Sequence, residues 1–330
     1  MSKLKQVNDE MFTITRVKWG RGFSFMDHDG ERIKDKDTLK RLRKLIIPPM
    51  WTEVMISQWP DGHVQATGRD KKGRKQYIYH DQWHRQQQQE KFSRMVDFGQ
   101  SLPKIRQRCL SDIDAPGWPK EKVMALILQI LDHTGIRIGN QRYTDENESY
   151  GLSTLRRKHM TIDGDQLVFN YQGKSNQTRE VYIDDEDLIQ SIRASAEQPG
   201  YEIFRYLDAQ QNWQNIDSEE VNEYLQEVSQ KQFYCKDFRT WTATRLAVEY
   251  HPAAVEEKQR NPRRQLTPTL LRLVADEIGN TPSVCKDYYI HPKVMHLISE
   301  SQLPELSDFQ DSSDEFGHSA AEKLLLMVLK

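Results

Sequence analysis

The sequence has little of several features that would assign it to common protein classes. It contains only three cysteines in 330 residues, Cys109, Cys235 and Cys285, and their spacing matches no CxxC or Cys/His metal motif. Reduced, buried thiols are therefore expected. The most apolar run, Val123 to Leu131, is much shorter than the roughly 20 residues that span a bilayer. Because the N-terminus also has no apolar core of signal-peptide length, we expect a cytoplasmic protein that does not contact a membrane.

The chain also has no excess of charge of one sign. Its 47 basic and 49 acidic residues leave a formal net charge of −2, so composition alone does not indicate a nucleic-acid partner. The sequence contains no Walker A loop and no Asp/Glu cluster typical of a Mg²⁺ site. No cofactor or metal is therefore expected. A surface that binds an anionic polymer would have to come from a local concentration of cations.

One such concentration lies between positions 67 and 80. Five cations fall within seven residues, interrupted by one glycine, and alternating aromatic residues follow them. A mobile basic loop is well suited to phosphate contacts, although an exposed turn beside a core strand would show the same pattern. Tyr77 and Tyr79 are expected to share one face of a strand, because alternate residues of a strand point the same way. The candidate DNA-binding residues are Arg69, Lys71, Lys72, Arg74, Lys75, Gln76, Tyr77 and Tyr79.

Hydrophobic periodicity predicts an α+β protein with two domains. Residues 1–90 show short strand patterns separated by turns such as Pro60-Asp61-Gly62, which indicates a small β-rich domain. Residues 91–330 are mainly helical, with a three-stranded β insert between residues 159 and 183 and an acidic C-terminal segment. Thr267 followed by Pro268 predicts a helix N-terminus, and Gly279 predicts its end. A short apolar helix is expected at residues 320–329.

Five side chains in separate segments form a candidate metal-free site for phosphodiester transfer. A tyrosine hydroxyl can attack phosphorus, and cations and a neutral donor can hold the charge that develops. The candidates are Arg137, Lys174, Arg239, Asn280 and Tyr289. Each also has a simpler interpretation: a salt bridge for Arg137, an exposed turn for Lys174, a surface charge for Arg239, a helix cap for Asn280 and a core position for Tyr289. Tyr288, the neighbouring residue, is an alternative nucleophile.

Together these segments resemble the type IB DNA topoisomerases, in the compact bacterial and poxvirus-like branch. The resemblance extends from about residue 20 to residue 292, and the order and spacing of its motifs are specific. The matching segments are Ile47–Trp51, Ala66–Tyr77, Ile136–Asn140, Ser149–Arg156, Gly173-Lys174, Lys236–Arg239 and Gly279–Pro292.

The resemblance implies that the five candidates form a catalytic pentad, with Tyr289 as the nucleophile and Lys174 as the general acid. It implies a bilobed clamp around supercoiled duplex DNA and relaxation through a 3′-phosphotyrosyl bond without ATP or metal. A cytoplasmic, nucleoid-associated monomer is expected. Two alternatives remain. One is a tyrosine site-specific recombinase, which typically has His-x-x-Arg where this chain has Lys236-Asp237-Phe238-Arg239. The other is a non-catalytic DNA-binding relative.

Overall fold

A computed structural model describes residues 3–330, except for the side chain of Tyr143. The chain divides into two compact units, Met1–Phe92 and Ser93–Lys330. Helices and antiparallel sheets are both present, which confirms the α+β class. Among residues 3–330, no helix combines the length and apolar character that crossing a membrane requires.

The first unit is built on a five-stranded antiparallel sheet with the strand order β2-β1-β3-β4-β5. One face of the sheet packs on helix α1 through the fully buried Leu42 and Ile56, because apolar residues alternate along the strands. The elements are β1 Ile14–Trp19, β2 Gly22–Met26, α1 Lys36–Lys44, β3 Thr52–Ile56, β4 Val64–Arg69, β5 Lys75–Tyr79 and α2 Asp81–Ser93.

The second unit is mainly helical and contains two small antiparallel sheets, β6-β7-β8 and β9-β10. Its strands are β6 Met160–Asp163, β7 Gln166–Gly173, β8 Gln177–Ile183, β9 Arg205–Leu207 and β10 Trp213–Asn215. Its helices are α3 Met95–Ile113, α4 Lys120–Thr134, α5 Gln141–Asn147, α6 Glu186–Ala196, α7 Ser218–Ser229, α8 Cys235–Glu249, α9 His251–Arg260, α10 Leu266–Ile278, α11 Pro282–Val284, α12 Pro292–Ser299 and α13 Ala320–Leu329. Short 3₁₀ turns occupy Asp9–Met11, Leu152–Thr154, Arg157–His159, Lys174–Asn176 and Leu306–Asp308.

Helices α3, α4 and α8 form the centre of the second unit. α4 is buried on nearly all sides, as its continuous apolar run predicts. Phe98 of α3 packs edge-on against Phe238 of α8, with ring centroids 5.0 Å apart. The C-terminal helix α13 docks on this core through the buried carboxylate of Glu322, which binds Arg106 over 2.7 Å. This core supports the helix ends and loops that carry the candidate site.

Two helices begin at other residues than the capping pattern of the sequence indicates. Helix α10 begins at Leu266, so Thr267 lies within its first turn rather than at the N-cap. Asp237, which is a favourable N-cap residue type, instead lies in the first turn of α8 and accepts a 2.9 Å hydrogen bond from the Tyr234 N–H. In both cases the chain enters the helix earlier than the capping pattern indicates, because side-chain caps identify a helix end only to within a few residues. Gly279 ends α10 as predicted.

Candidate active site

Arg137 lies in the loop that follows helix α4, and close backbone packing fixes this loop. Gly135 ends the helix with a φ of 60°. The Leu152 N–H donates to the Arg137 carbonyl oxygen over 2.9 Å. Gly139, at a φ of 89°, approaches Gly151 so closely that a Cβ on Gly139 would stand 2.9 Å from the Gly151 carbonyl carbon. Only glycine fits this pair of positions, and the result is a firmly held backbone under the Arg137 side chain.

Asn280 lies in the turn that ends helix α10. Gly279 occupies the left-handed region at a φ of 62°, and the Asn280 N–H donates back to the Ala275 carbonyl oxygen over 2.9 Å. The side-chain Oδ1 of Asn280 accepts a 2.8 Å hydrogen bond from Arg137 Nη2. Its Nδ2 is buried and has no hydrogen-bond partner in the described part of the chain. The residue therefore ends a helix and also keeps one amide donor available for a ligand.

Arg239 lies in helix α8 with only 5% of its surface exposed, so the interpretation as a surface charge is wrong. Its Nη1 donates to the Gly135 carbonyl oxygen over 2.7 Å. Its Nη2 donates to the carbonyl oxygens of Ile278 and Gly279, at the C-terminal end of α10. Burial and then the nearby charge of Arg137 lower the pKa of Arg239 from its ordinary value. An anion bound beside it would relieve this electrostatic cost.

Tyr289 lies at the end of a π-helical turn, Cys285–Tyr289, where the Ile290 N–H donates to the Cys285 carbonyl oxygen over 2.9 Å. The wider turn directs the Tyr289 ring toward Arg239, whose guanidinium carbon lies 5.2 Å from the ring centroid. Neighbouring Tyr288 has 47% of its surface exposed. The two adjacent tyrosines therefore have different environments, and Tyr289 is the one against a candidate site cation.

Thr244 fixes the backbone on both sides of this tyrosine. Its side chain is fully buried, and its hydroxyl oxygen accepts a 3.1 Å hydrogen bond from the His291 N–H. The same hydroxyl lies within donating distance of two carbonyl oxygens, those of Thr240 at 2.9 Å and Tyr289 at 3.1 Å. Sequence reasoning did not select Thr244, because a threonine inside a helix gives no local signal of a long-range contact.

Lys174 lies at the exposed tip of the β7–β8 hairpin. The two residues after it, Ser175 and Asn176, both adopt left-handed backbone conformations, with φ values of 64° and 57°. Contacts in the described part of the chain link the other four candidates to one another or to the same α10 turn, but none of these contacts reaches Lys174. The described contacts therefore bring four of the five candidates together and leave Lys174 at the hairpin tip.

A third arginine, Arg179, lies beside the candidates and was not predicted from the sequence. It stands in strand β8 directly opposite Tyr171 of β7. Burial and the charge of Arg137 lower the pKa of Arg179. No carboxylate forms an ion pair with Arg137, Arg179 or Arg239 among the side chains that the structure describes. A strand arginine alone gives no reason to expect this, since most are exposed and pair across the sheet.

The basic cluster of the first unit lies on strands β4 and β5 and the turn between them. Several of its side chains have acidic partners: Arg69 binds Glu53, Arg74 binds Asp70, and Lys75 binds Asp9. The Gln76 side chain also donates to Asp70 over 3.1 Å. Lys71 and Lys72 are exposed at the turn. Tyr77 and Tyr79 stack on one strand face with ring centroids 5.9 Å apart.

A cavity of about 970 Å³ in the second unit does not coincide with the candidate site. Many of its lining residues are acidic, including Asp132, Asp184, Asp185, Asp187 and Glu277. This charge repels a phosphate backbone, so the cavity is unsuited to DNA. Within residues 3–330, three metal-ligating side chains approach one another only at Asp27, His28 and Asp29, where two of the three are exposed. The candidate site itself consists of cations, an amide and a phenol.

Comparison with known proteins assigns this arrangement to a family. A model described as "Eukaryotic DNA topoisomerase I, catalytic core" matches residues 78–313, and one described as "Bacterial DNA topoisomerase IB, N-terminal domain" matches residues 22–70. A DNA topoisomerase 1B of Acanthamoeba polyphaga mimivirus is 32% identical over 86% of this chain and 87% of its own length. A DNA topoisomerase 1B of Vaccinia virus (strain Copenhagen) is 22% identical over 86% and 88%.

Among solved structures, a XerH site-specific recombinase bound to difH substrate shares 12% identity, with a TM-score of 0.36, over 61% of this chain and 52% of its own. That similarity is too low to bear on the fold or the chemistry of this protein. The family models and the mimivirus relative decide the assignment, because together they cover nearly all of the chain. This chain belongs to the type IB DNA topoisomerase family.

Proposed function

We propose that this protein relaxes supercoiled duplex DNA by breaking and resealing one strand, without ATP or a metal ion. The observation that carries the proposal is the cluster of three arginines around the Asn280 turn, none of which has a carboxylate partner in the described chain. Guanidinium groups without counter-ions favour an anionic ligand, most strongly at Arg239, which is buried. The ring of Tyr289 lies against one of them, Arg239. A phosphodiester bound to these cations would therefore stand beside a nucleophile.

In the proposed reaction the Tyr289 hydroxyl oxygen attacks the phosphorus atom of a DNA strand. A bond forms between this oxygen and phosphorus, the bond from phosphorus to the 5′ oxygen breaks, and the tyrosine proton passes to solvent. Lys174 donates a proton to the departing 5′ oxygen, with assistance from Arg137. The products are a 3′-phosphotyrosyl bond and a 5′-hydroxyl. Because the covalent bond conserves the energy of the phosphodiester, the 5′-hydroxyl can reverse the step after the strand has swivelled.

Arg137, Arg239 and Asn280 are proposed to stabilise the pentacoordinate phosphorus. Arg137 uses Nη2 for its contact with Asn280, and the Nε of Arg239 has no hydrogen-bond partner in the described chain, so both guanidinium groups keep donors for phosphate oxygens. The unpartnered Nδ2 of Asn280 supplies a neutral donor, while its Oδ1 is already occupied by Arg137. Donors that are positioned before the reaction need little reorganisation when charge develops, which makes this kind of stabilisation effective.

The first unit is proposed to hold the opposite face of the duplex, which would give a bilobed clamp. Its stacked tyrosines, Tyr77 and Tyr79, and the exposed Lys71 and Lys72 are suited to backbone contacts that do not depend on sequence. The proposal includes a monomer that works on any supercoiled plasmid and associates with the nucleoid of a bacterial cytoplasm.

The test is relaxation of negatively and positively supercoiled plasmid, in EDTA and without ATP, by the parent and by Tyr289→Phe. We expect the parent to relax both substrates and Tyr289→Phe to bind DNA but relax neither. Tyr288→Phe is the matched control and should retain activity. If Tyr289→Phe is as active as the parent, Tyr289 is not the nucleophile. A folded, DNA-binding parent that relaxes nothing would support the recombinase or the non-catalytic alternative.

A further inference from the structure

Arg179 lies between two glycines that each directly precede a candidate site residue. Gly173 precedes Lys174, and a Cβ on Gly173 would stand 2.9 Å from the Arg179 Cγ. Gly279 precedes Asn280, and a Cβ on Gly279 would overlap the Arg179 guanidinium. The side chain therefore fills the space between the base of the hairpin tip and the turn that ends α10. Any side chain on either glycine would displace it.

The same guanidinium also caps helix α10. Arg179 Nη2 donates to the Glu277 carbonyl oxygen over 3.3 Å, and Arg239 donates to the next two carbonyl oxygens along the chain. Cations at a helix C-terminus bind the last carbonyl groups, which have no partner inside the helix, and they also balance the negative end of the helix dipole. Two arginines, one from the hairpin and one from α8, thus hold the turn that presents Asn280.

Tyr171 lies beside Arg179 within the hairpin. The two residues are paired directly opposite each other on strands β7 and β8, and the phenol is close enough to Arg179 to oppose part of the lowering of its pKa. Tyr171 is only 6% exposed. Its burial raises the pKa of the phenol, so the hydroxyl stays neutral at physiological pH. The neighbour of Arg179 across the hairpin is therefore a neutral phenol rather than a counter-ion.

We propose that Arg179 is a positioning residue that couples the hairpin tip bearing Lys174 to the turn bearing Asn280. This inference rests on the proposed function, because the two supported residues are the proposed general acid and the proposed phosphate donor. The planar guanidinium is the required group, since it occupies the space where a Gly279 Cβ would stand while it donates to the Glu277 carbonyl oxygen. A lysine keeps the charge but has no plane and only a single nitrogen.

The test is single-turnover cleavage of a suicide DNA substrate at saturating protein. We expect Arg179→Ala to slow cleavage by about 10- to 100-fold, with DNA affinity within a few-fold of the parent, because a misplaced donor costs transition-state stabilisation rather than binding. Arg179→Lys should still cleave at least about fivefold more slowly than the parent, since the charge alone does not restore the contacts. Glu180→Ala, an exposed neighbour on the same strand, is the control and should cleave at the parental rate.

A double-mutant cycle distinguishes positioning from direct contact with DNA. If Arg179 acts through Asn280, the two losses should not add. The double variant Arg179→Ala/Asn280→Ala should then cleave DNA within about twofold of the rate of the slower single variant. Likewise, Gly173→Ala should slow the parent but have little further effect on Arg179→Ala, because the side chain it displaces is absent. Additive losses, a parental rate for Arg179→Ala, or full recovery in Arg179→Lys would each overturn the proposal.

A readout independent of cleavage separates this inference from the proposed function. In ¹⁵N-labelled protein, the side-chain amide signals of Asn280 should shift or broaden in Arg179→Ala and stay unchanged in Glu180→Ala. A parent that does not cleave DNA would contradict the proposed function, and the amide signals would still test the positioning role. Unchanged Asn280 signals in Arg179→Ala would overturn the positioning role even in an active enzyme.

Discussion

Arg137 donates a 2.8 Å hydrogen bond to the Oδ1 atom of Asn280, a residue 143 positions later in the chain. This contact determines which atoms of Asn280 remain for a ligand. With Oδ1 occupied, the amide group presents its unpartnered Nδ2, which can only donate. The same bond orients the Arg137 guanidinium. Each of the two side chains is therefore held in place by the other before DNA binds.

Removing the Asn280 amide donor should slow DNA cleavage more than it weakens DNA binding. We expect Asn280→Ala to lower the single-turnover cleavage rate by about 10²–10³-fold, the usual cost of one donor to a developing oxyanion. Asn280→His should stay within about tenfold of the parent and acquire a pH inflection below about 6.5, because nearby arginines lower the pKa of an introduced imidazole. The measurement is the cleavage rate from pH 5 to 9.

The sign of that inflection is also predicted. A protonated imidazole stabilises the anionic phosphorus better than a neutral one, so the rate of Asn280→His relative to the parent should rise as pH falls. The parent should show no inflection attributable to this position, since an amide does not titrate. A strong change of the pH profile in the conservative variant Asn280→Gln would contradict this account.

Lys174 should matter only for leaving groups that require a proton. We expect Lys174→Ala to cleave ordinary DNA about 10²–10⁴-fold more slowly than the parent. With sulfur in place of the 5′ oxygen, the leaving group is a thiolate, whose conjugate thiol has a pKa of about 8.5, and it departs without protonation. Cleavage of that substrate by Lys174→Ala should return to within about tenfold of the parent. Asn280→Ala serves as the control and should stay slow on both substrates. Equal losses of cleavage rate by Lys174→Ala on both substrates would contradict a general-acid role for Lys174.

Acid should destabilise the segment that follows Tyr289. His291 Nδ1 accepts a 3.0 Å hydrogen bond from the Lys293 N–H at the start of α12. Burial, and then the Lys293 charge, lower the pKa of His291 to about 4. Because the folded-state pKa lies below the ordinary value of 6.5, the stabilisation is present above pH 6.5 and is lost as pH falls toward 4.

We expect the pH dependence of the unfolding free energy to differ between the parent and His291→Asn, which keeps a capping acceptor without titrating. Between pH 7.5 and 4.5 the parent should lose about 1–2 kcal/mol more than the variant, a figure reduced to allow for the partial exposure of the imidazole. Urea unfolding at both pH values measures this difference. Parallel losses in the two proteins would show that His291 does not contribute.

The docking of the C-terminal helix should depend on one buried carboxylate. Glu322 accepts hydrogen bonds from Arg106 at 2.7 Å and from the Trp241 indole at 3.0 Å. Glu322→Ala leaves a buried guanidinium and a buried N–H without this partner, and should lower the unfolding free energy by about 3–5 kcal/mol. Glu322→Gln keeps the acceptor but not the charge and should cost less. Urea unfolding measures these differences, with Glu300→Ala, at an exposed acid, as the control. An equal loss of unfolding free energy in Glu300→Ala and Glu322→Ala would contradict this prediction.

Local sequence patterns determined much of this protein. Alternating residues and turn signals predicted the β6-β7-β8 hairpins, the apolar run predicted the buried helix α4, and Gly279 predicted the end of α10. The helix predicted at residues 320–329 is α13, with those bounds. The α+β class followed from the hydrophobic periodicity, and the resemblance to the type IB family followed from the order of the motifs. These features are local or ordered along the chain, so the physics that produces them acts between near neighbours.

Tertiary structure alone decided how the candidate residues contact one another. Arg239 reads as a helix-surface arginine in sequence, yet packing of α8 against α4 and α10 buries it on carbonyl groups from both. Arg179 gave no signal because its contacts with Gly279 join residues 100 positions apart in sequence, and no periodicity encodes such a distance. The sequence by itself determined which chemical groups are available. Only the packing of distant segments decided which of those groups meet, and which of them have no counter-ion among the residues that the structure describes.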